Sequence, residues 1–388
     1  MDKRLRKALV VLFCFASIHV IVVSTGHRYL YTTLQNTIFK GRLGPDIDEY
    51  QIFPSRVVEA DTFHDLPFHA SFGTFKLTDA EQNSVDELQP VALLILKKDS
   101  ILFERYWENY SSDSKSNSFS AAKSIVNIAI GVAIREGKID GLDQKVGDFL
   151  PEFASGANAE LSIKHLLMMS SGIDFDEDYL NPFAFPARAN YGTDLKGLVK
   201  KYTVTETPAQ RFEYRSGNTQ LLAFIIEKAT GMTLSEYFSK RVWSRIGSKN
   251  EALWSLDTEN GSEKAFCCFN SNARDFSRIG LLYLHSGELN GVRIVDSSFV
   301  KASVSPQNIV ENDGSECVRY GLHWWLHDFN GERIFYARGI LGQYIIVIPS
   351  MDIVIVRLGH KRIKPEGTDA PGDLALYLNI ANRMNSEL

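Results

Sequence analysis

Strand-like segments occur at two distant places in this sequence, and helical patterns fill the interval between them. The run "PVALLILKKDS" followed by "ILFERYWENY" predicts a hairpin that begins at Pro90, and "GERIFYARGILGQYIIVIPSMDIVIVRLG" predicts two or three strands near the end. Apolar stripes over 121–136, 219–230 and 373–385 indicate helices. This order predicts an α/β fold of the α+β type. One antiparallel sheet is formed by strands from both ends, is flanked by helices, and lies beside a helical subdomain.

The first 26 residues differ in composition from the rest of the chain. Basic residues at positions 3, 4, 6 and 7 precede an apolar run from Ala8 to Ser24. Basic residues before the run predict a cytoplasmic N-terminus and a main domain on the periplasmic side of the inner membrane, anchored by residues 8–24. The small residues Ser24, Thr25 and Gly26 leave open a cleaved signal peptide instead.

The remaining residues divide into a short lead-in and a long patterned region. Residues 27–85 contain Pro45, Pro54 and Pro67 without sustained periodicity, so they are expected to be irregular. Residues 86–388 carry the strand and helix patterns and are expected to form the main domain.

Composition and missing motifs exclude several classes of function. The net charge is −5 and no basic stripe is present, which argues against nucleic-acid binding. The sequence has no GxSxG, GxGxxG, Walker or HExxH motif, and no metal or cofactor is expected. The four cysteines are expected to be small buried side chains, although a bridge from Cys317 to Cys267 or Cys268 remains an alternative. His165, His323 and His360 are scattered and are expected to be structural.

The motif S-x-x-K is the remaining candidate for chemistry, and it occurs three times. The pair beginning at Ser112 lies in a polar stretch, and the pair beginning at Ser298 lies on an expected surface helix. Ser120, by contrast, opens the apolar helix, where Lys123 would share its face. We therefore choose Ser120 as the nucleophile and Lys123 as its partner.

This pair suits nucleophilic catalysis for a simple physical reason. A serine hydroxyl attacks a carbonyl efficiently only when another group takes its proton. Free lysine is protonated at pH 7, so burial among apolar neighbours has to favour the neutral amine. A tyrosine nearby can share the proton transfer, and the N-terminus of the helix favours negative charge on the oxyanion.

Several segments resemble the β-lactamase-like, or penicillin-binding-protein-like, serine hydrolases. They are "FSAAKSIVNIAIGVAIREGKIDGLDQKVGDFLPEF", "LSIKHLLMMSSGIDFDEDY", "FEYRSGNTQLLAFIIEKATG" and "ARDFSRIGLLYLHSGELNG", in order over about residues 90–385. The resemblance is closest to class C-like esterases and 6-aminohexanoate-dimer hydrolases. It implies that Tyr214 relays protons, and that Ser216 and Tyr179 bind substrate.

The third family motif departs from the usual pattern. Relatives usually carry Lys-Thr-Gly or His-x-Gly on this strand, whereas this sequence has Ala337-Arg338-Gly339. The resemblance implies that Gly339 allows close approach of the substrate, and that the amides of Ser120 and Ile340 form the oxyanion hole. The missing cation predicts a preference for neutral substrates, and Arg338 does not simply replace it because alternate strand residues face opposite ways.

These features together predict a serine hydrolase that cleaves a small ester or amide through an acyl-enzyme. The substrate could come from the cell wall, and the oligomeric state stays open. Two alternatives remain: a D-alanyl-D-alanine carboxypeptidase or β-lactamase, and a catalytically silent anchored sensor with the same fold.

Overall fold

The computed structural model of the chain describes residues 2–364, 367 and 370–388. Its main sheet has six strands, in the order β3-β2-β12-β11-β10-β9, and every neighbouring pair is antiparallel. A smaller sheet has the order β1-β5-β6-β4, and β7 and β8 form a hairpin. The strands of the described residues are β1 (Ser55–Val58), β2 (Pro90–Lys97), β3 (Ser100–Tyr106), β4 (Ser116–Asn117), β5 (Ala252–Ser255), β6 (Phe269–Ser271), β7 (Glu288–Leu289), β8 (Val292–Arg293), β9 (Trp325–Phe329), β10 (Glu332–Gly339), β11 (Gln343–Ile348) and β12 (Ile353–Gly359).

The main sheet joins the two ends of the domain, as the sequence predicted. Ile95 of β2 lies opposite Ile355 of β12, so residues far apart in the sequence become neighbours in the sheet. Strands β11 and β12 are buried at every position because helices cover both faces. A side chain added at Gly280 would meet Val354 on one face, and Asp373 accepts a hydrogen bond from Tyr344 on the other.

The helices of the middle of the chain form the predicted helical part beside the sheet. Helix α8 (Ser216–Thr230) is followed by Gly231, which has the left-handed φ of +70° that ends many helices. The helices of the described residues are α1 (Lys3–Ser24), α2 (Tyr29–Asn36), α3 (Asp79–Asp86), α4 (Ala122–Arg135), α5 (Ile163–Leu167), α6 (Phe185–Tyr191), α7 (Leu195–Val199), α8 (Ser216–Thr230), α9 (Leu234–Phe238), α10 (Ala273–Leu284), α11 (Ser297–Ser303) and α12 (Gly372–Ser386).

The segment 27–85 differs from the irregular lead-in that the sequence predicted. It contains α2, β1 and α3, and β1 pairs with β5 in the smaller sheet. Helix α3 begins with a capping box between Thr78 and Glu81. These elements have only four to eight residues, too few to show a periodicity over the usual window.

The N-terminal apolar run forms one long helix, α1. It has 22 residues, a mean hydropathy of 2.3 in its most apolar window, and none of that window is buried against the protein. A helix of this length spans about 33 Å, which is enough to cross a bilayer core of about 30 Å. Length and composition therefore agree with a membrane anchor or a signal sequence.

Candidate active site

Ser120 lies in a tight turn immediately before the helix that carries Lys123. Residues Phe119–Ala121 form a single 3-10 turn, and α4 begins at Ala122, so Ser120 precedes the helix rather than opening it. The Phe119 backbone has a positive φ of 45°, and its N–H donates to Asn117 Oδ1 at 2.8 Å. This conformation leaves Ser120 partly exposed while its neighbours Phe119 and Ala121 are buried.

Lys123 is almost completely buried and lies within hydrogen-bond distance of Ser120. Its ammonium donates to Ser120 Oγ at 3.0 Å, to Ser216 Oγ at 3.2 Å and to the Phe266 carbonyl oxygen at 2.9 Å. An ammonium has three protons to donate, so these three acceptors satisfy all of them. The structure thus brings Ser120 and Lys123 together, and the buried Lys123 ammonium has a hydrogen-bond acceptor for each of its protons.

Tyr214 lies beside Lys123, but the contact is made by its ring. Lys123 Nζ is 4.9 Å from the ring centroid of Tyr214, a cation–π distance. Within the described residues the Tyr214 hydroxyl makes no hydrogen bond to Ser120 or Lys123. The predicted proton relay thus requires the phenol to reach a reacting group when substrate is present.

A stack of side chains extends from Tyr214 through Trp325 to Arg338. Its ring lies 5.5 Å from that of Trp325, and the Arg338 guanidinium lies 3.5 Å from the centroid of Trp325. Ala337 is fully buried, whereas Arg338 is only partly so, in agreement with the opposite directions of neighbouring strand residues. Arg338 therefore supports the aromatic wall next to Tyr214.

Glu177, which sequence reasoning did not select, contacts Ser216 directly. Its carboxylate accepts the Ser216 N–H at 2.7 Å and the Ser216 hydroxyl at 2.5 Å. It also accepts the hydroxyl of Tyr179, a predicted substrate-binding residue, at 2.8 Å. The result is a hydrogen-bonded chain from Glu177 through Ser216 and Lys123 to Ser120. Residues 174, 176, 177 and 178 are all acidic, so the sequence gave no reason to choose this one.

The end of β10 lies against the turn that carries Ser120. A side chain at Gly339 would come within 2.2 Å of the Ser118 carbonyl oxygen, so only glycine fits there. Ile340 and Ser120 line the same cleft of about 390 Å³, together with Tyr179 and Ser216. The predicted oxyanion pair and both predicted substrate-binding side chains therefore face one cavity.

The two other S-x-x-K pairs lie at the surface, as expected. Ser298 and Lys301 are exposed on α11. In the other pair, Lys115 Nζ lies 3.9 Å from the exposed Glu251 carboxylate. Neither serine has a buried lysine beside it in the parts of the chain that the structure describes.

Cys267, Cys268 and Cys317 are buried as expected, whereas Cys14 is exposed and the alternative bridge from Cys317 is not formed. Cys267 and Cys268 are bonded to each other, and Cys317 is buried without a partner sulfur. The chain turns sharply here, with Cys268 at a φ of +68°, which allows neighbouring side chains to meet. Burial raises the pKa of Cys317 to about 12, and the adjacent Glu311 carboxylate adds to this effect. The thiol of Cys317 is therefore inert at neutral pH.

His323 is a structural residue close to the site. Its Nδ1 lies 2.8 Å from the Leu167 carbonyl oxygen, and its Nε2 lies 2.9 Å from Thr219 Oγ1. Burial, and then the nearby Lys123 charge, lowers the pKa of His323 to about 3. The neutral ring connects α5 with α8 and supports the helix that carries Ser216.

Comparison with known proteins places this geometry in a family. A family model described as Beta-lactamase matches residues 77–378, which is most of the chain. The chain belongs to the β-lactamase family. This family has the β-lactamase fold and consists of serine hydrolases.

Individual β-lactamase-family relatives include hydrolases of amides and esters. The chain is 28% identical over 299 residues to a 6-aminohexanoate-dimer hydrolase of Paenarthrobacter ureafaciens, covering 73% of this chain and 75% of that protein. A Bacillus anthracis structure, provisionally described as another such hydrolase, superposes with a TM-score of 0.74 at 22% identity, covering 88% of this chain and 92% of that one. A family VIII carboxylesterase superposes with a TM-score of 0.63 at 15% identity, covering 82% and 98%. The two superpositions show a shared fold.

Proposed function

We propose that this protein hydrolyses an ester or amide through an acyl-enzyme on Ser120. Ser120 Oγ forms a bond to the substrate carbonyl carbon, and its proton passes to the neutral amine of Lys123. The leaving group departs with a proton delivered through Lys123 and Tyr214. Water then attacks the acyl-enzyme, which releases the acid and restores Ser120.

One observation carries this proposal: Lys123 Nζ lies 3.0 Å from Ser120 Oγ while its side chain is buried. Once the ammonium has lost one proton, the same contact carries the serine proton to nitrogen. The two remaining acceptors, Ser216 Oγ and the Phe266 carbonyl, keep Nζ in place during the transfer.

The oxyanion is assigned to the backbone amides of Ser120 and Ile340. Both residues line the cleft, and Gly339 allows β10 to approach the nucleophile turn closely. Two fixed amide donors stabilise the charge that develops on the carbonyl oxygen. Removal of one such donor typically costs about 10²–10³ in kcat.

The substrate is proposed to be neutral near the reacting carbonyl. The position where relatives carry a cation holds the buried Ala337, and Arg338 stacks on Trp325. A substrate carboxylate would therefore lack a charge-assisted contact worth about 1.5–3 kcal/mol. The relatives include hydrolases of an amide and of esters, which agrees with an ester or amide as the bond that is cleaved. The 22-residue helix α1 supports a location on the periplasmic side, anchored in the inner membrane.

Covalent labelling of the full-length protein tests the proposed nucleophile. A fluorophosphonate probe should label the wild type on the peptide that contains Ser120, and Ser120→Ala should lose both the label and the turnover of a p-nitrophenyl ester. Ser112→Ala is the matched control, because it removes the serine of another S-x-x-K pair and should keep both. Ester turnover by Ser120→Ala within about tenfold of the wild type would refute the assignment.

The same protein preparation separates the alternatives. A β-lactamase or D-alanyl-D-alanine carboxypeptidase would turn over a chromogenic cephalosporin or a peptide ending in D-alanine better than the neutral ester, after each rate is divided by the uncatalysed rate. A silent sensor would show no Ser120-dependent turnover of any of them. Faster Ser120-dependent cleavage of the neutral ester is the result we expect.

A further inference from the structure

The cleft beside Ser120 has an apolar wall that comes from the segment directly after the membrane helix. Leu34 of α2, Ile38 and Leu43 line it on one side, and Leu180 and Pro186 line it on the other. The polar residues of the lining are uncharged, and they are Thr33, Thr37, Ser120, Tyr179, Asn190, Tyr191 and Ser216. The cleft thus suits an alkyl chain better than a polar headgroup.

Four large and exposed apolar side chains lie on the two segments of the chain that line this cleft. Leu43 and Leu180 are each 86% exposed, Phe39 is 79% exposed and Phe183 is 55% exposed. We call these four residues the apolar rim. Large apolar side chains that are exposed together beside a cleft indicate a binding or membrane surface.

The two halves of the rim are held together by contacts made by residues just outside α1. Tyr29 donates a hydrogen bond from its hydroxyl to the Pro182 carbonyl oxygen at 3.1 Å. The His27 ring meets the Phe183 ring edge-on at 5.5 Å. The segment that follows α1 and the loop that carries Leu180 therefore form one surface.

This surface is continuous with the proposed membrane span. Helix α1 ends at Ser24, and α2 begins at Tyr29 only a few residues later. Tyr29 and Tyr31 lie at this junction, where tyrosine commonly marks the interface between lipid and water. A retained α1 would hold the apolar rim at the bilayer surface, with the cleft opening toward the acyl chains.

We propose that the substrate is a membrane-resident amphiphile, a long-chain acyl ester or amide whose alkyl chain occupies the apolar cleft while its carbonyl reaches Ser120. This inference rests on the proposed function, since it names the substrate class of that same site. The acyl group passes to Ser120 Oγ, the alcohol or amine leaves with a proton, and water releases a fatty acid. The rim lies against the lipid while the chain enters the cleft.

The first test is the dependence of the rate on acyl-chain length. Full-length protein in lipid nanodiscs is assayed with p-nitrophenyl acetate, butyrate, octanoate and decanoate, each below its aggregation concentration and corrected for its uncatalysed rate. Full burial of a methylene is worth about fourfold, and a partly open cleft gives less. We expect kcat/KM to rise at least about tenfold from butyrate to octanoate. A flat or falling series would overturn the proposal.

Variants on the two walls of the cleft locate the effect. Leu43→Glu and Leu180→Glu should each lower the octanoate-to-butyrate ratio of kcat/KM by about tenfold, because a carboxylate then meets the alkyl chain. Val292→Glu is the matched control, since Val292 is also exposed but lies on the β7–β8 hairpin. An unchanged ratio in both cleft variants, with thermal unfolding midpoints like that of the wild type, would refute the proposal.

A final comparison tests whether the substrate resides in the bilayer. Proteoliposomes of phosphatidylcholine and phosphatidylglycerol carry a fluorogenic palmitoyl ester dissolved in the same membrane. Phe39→Glu should lower the rate for this ester relative to soluble butyrate, and an unchanged ratio would contradict docking of the rim. If the wild type turned over none of these esters in a Ser120-dependent way, p-nitrophenyl acetate included, that result would instead refute the proposed function itself.

Discussion

Replacing Glu177 with glutamine should slow acylation by about 10- to 150-fold. The carboxylate accepts three hydrogen bonds, from the Ser216 N–H at 2.7 Å, the Ser216 hydroxyl at 2.5 Å and the Tyr179 hydroxyl at 2.8 Å. In glutamine one of the two acceptor oxygens becomes an NH2 group, which cannot accept. At least one bond to a charged acceptor is lost, and such a bond is worth about 1.5–3 kcal/mol.

The loss should reach the chemical step because Ser216 Oγ also accepts a hydrogen bond from Lys123. When its own hydroxyl donates to Glu177, the oxygen of Ser216 keeps a lone pair toward Lys123 Nζ. Without the carboxylate the hydroxyl can turn, and Nζ loses a fixed neighbour. We expect the effect in kcat of a neutral ester, measured as single-turnover acylation, with little change in KM.

Asp178→Asn is the matched control, because it removes the same charge from the next residue. Asp178 is exposed and accepts only from the Leu180 N–H within the described hydrogen bonds, so acylation should change less than threefold. A double-mutant cycle gives the stronger test. If Glu177 acts through Ser216, then Glu177→Gln should have little further effect in a Ser216→Ala background. Fully additive effects, or an equal loss in Asp178→Asn, would refute the reasoning.

Two further predictions concern Lys123 and His323. Lys123→Arg should lose activity nearly as completely as Lys123→Ala, because arginine keeps the charge but cannot give up its proton; an arginine variant with a near-normal ester rate would show that only charge is needed. The pKa of His323 is lowered to about 3 in the folded protein, against about 6.5 when unfolded, so its contribution to stability is complete above pH 6.5 and is lost as the pH falls. Between pH 7 and pH 5 the free energy of unfolding should fall by about 2 kcal/mol on this account. The thermal unfolding midpoint should therefore fall less over this pH range in His323→Gln than in the wild type. An equal dependence of the midpoint on pH in the two proteins would contradict this prediction.

The sequence by itself determined the class of fold and the proximity of Ser120 and Lys123. The long apolar strands from Pro90 and from Ile353 have nowhere to be buried except in one sheet, so their pairing follows from hydrophobic patterning. The spacing of Ser120 and Lys123 brings the two side chains together through local geometry alone. The first inference rests on long apolar runs and the second on a spacing of three residues, and both can be read from a single sequence.

Only the tertiary structure decided which distant groups complete the site. Glu177 meets Ser216 across 39 positions of the chain, and nothing in its acidic neighbourhood distinguishes it. The segment 29–45 becomes a wall of the cleft because its short elements pack against loops from another part of the chain. Bonding between Cys267 and Cys268 likewise depends on a sharp turn of the backbone. Such contacts between distant residues depend on the packing of the whole domain. They cannot be predicted one by one from the pattern of residue types along the chain.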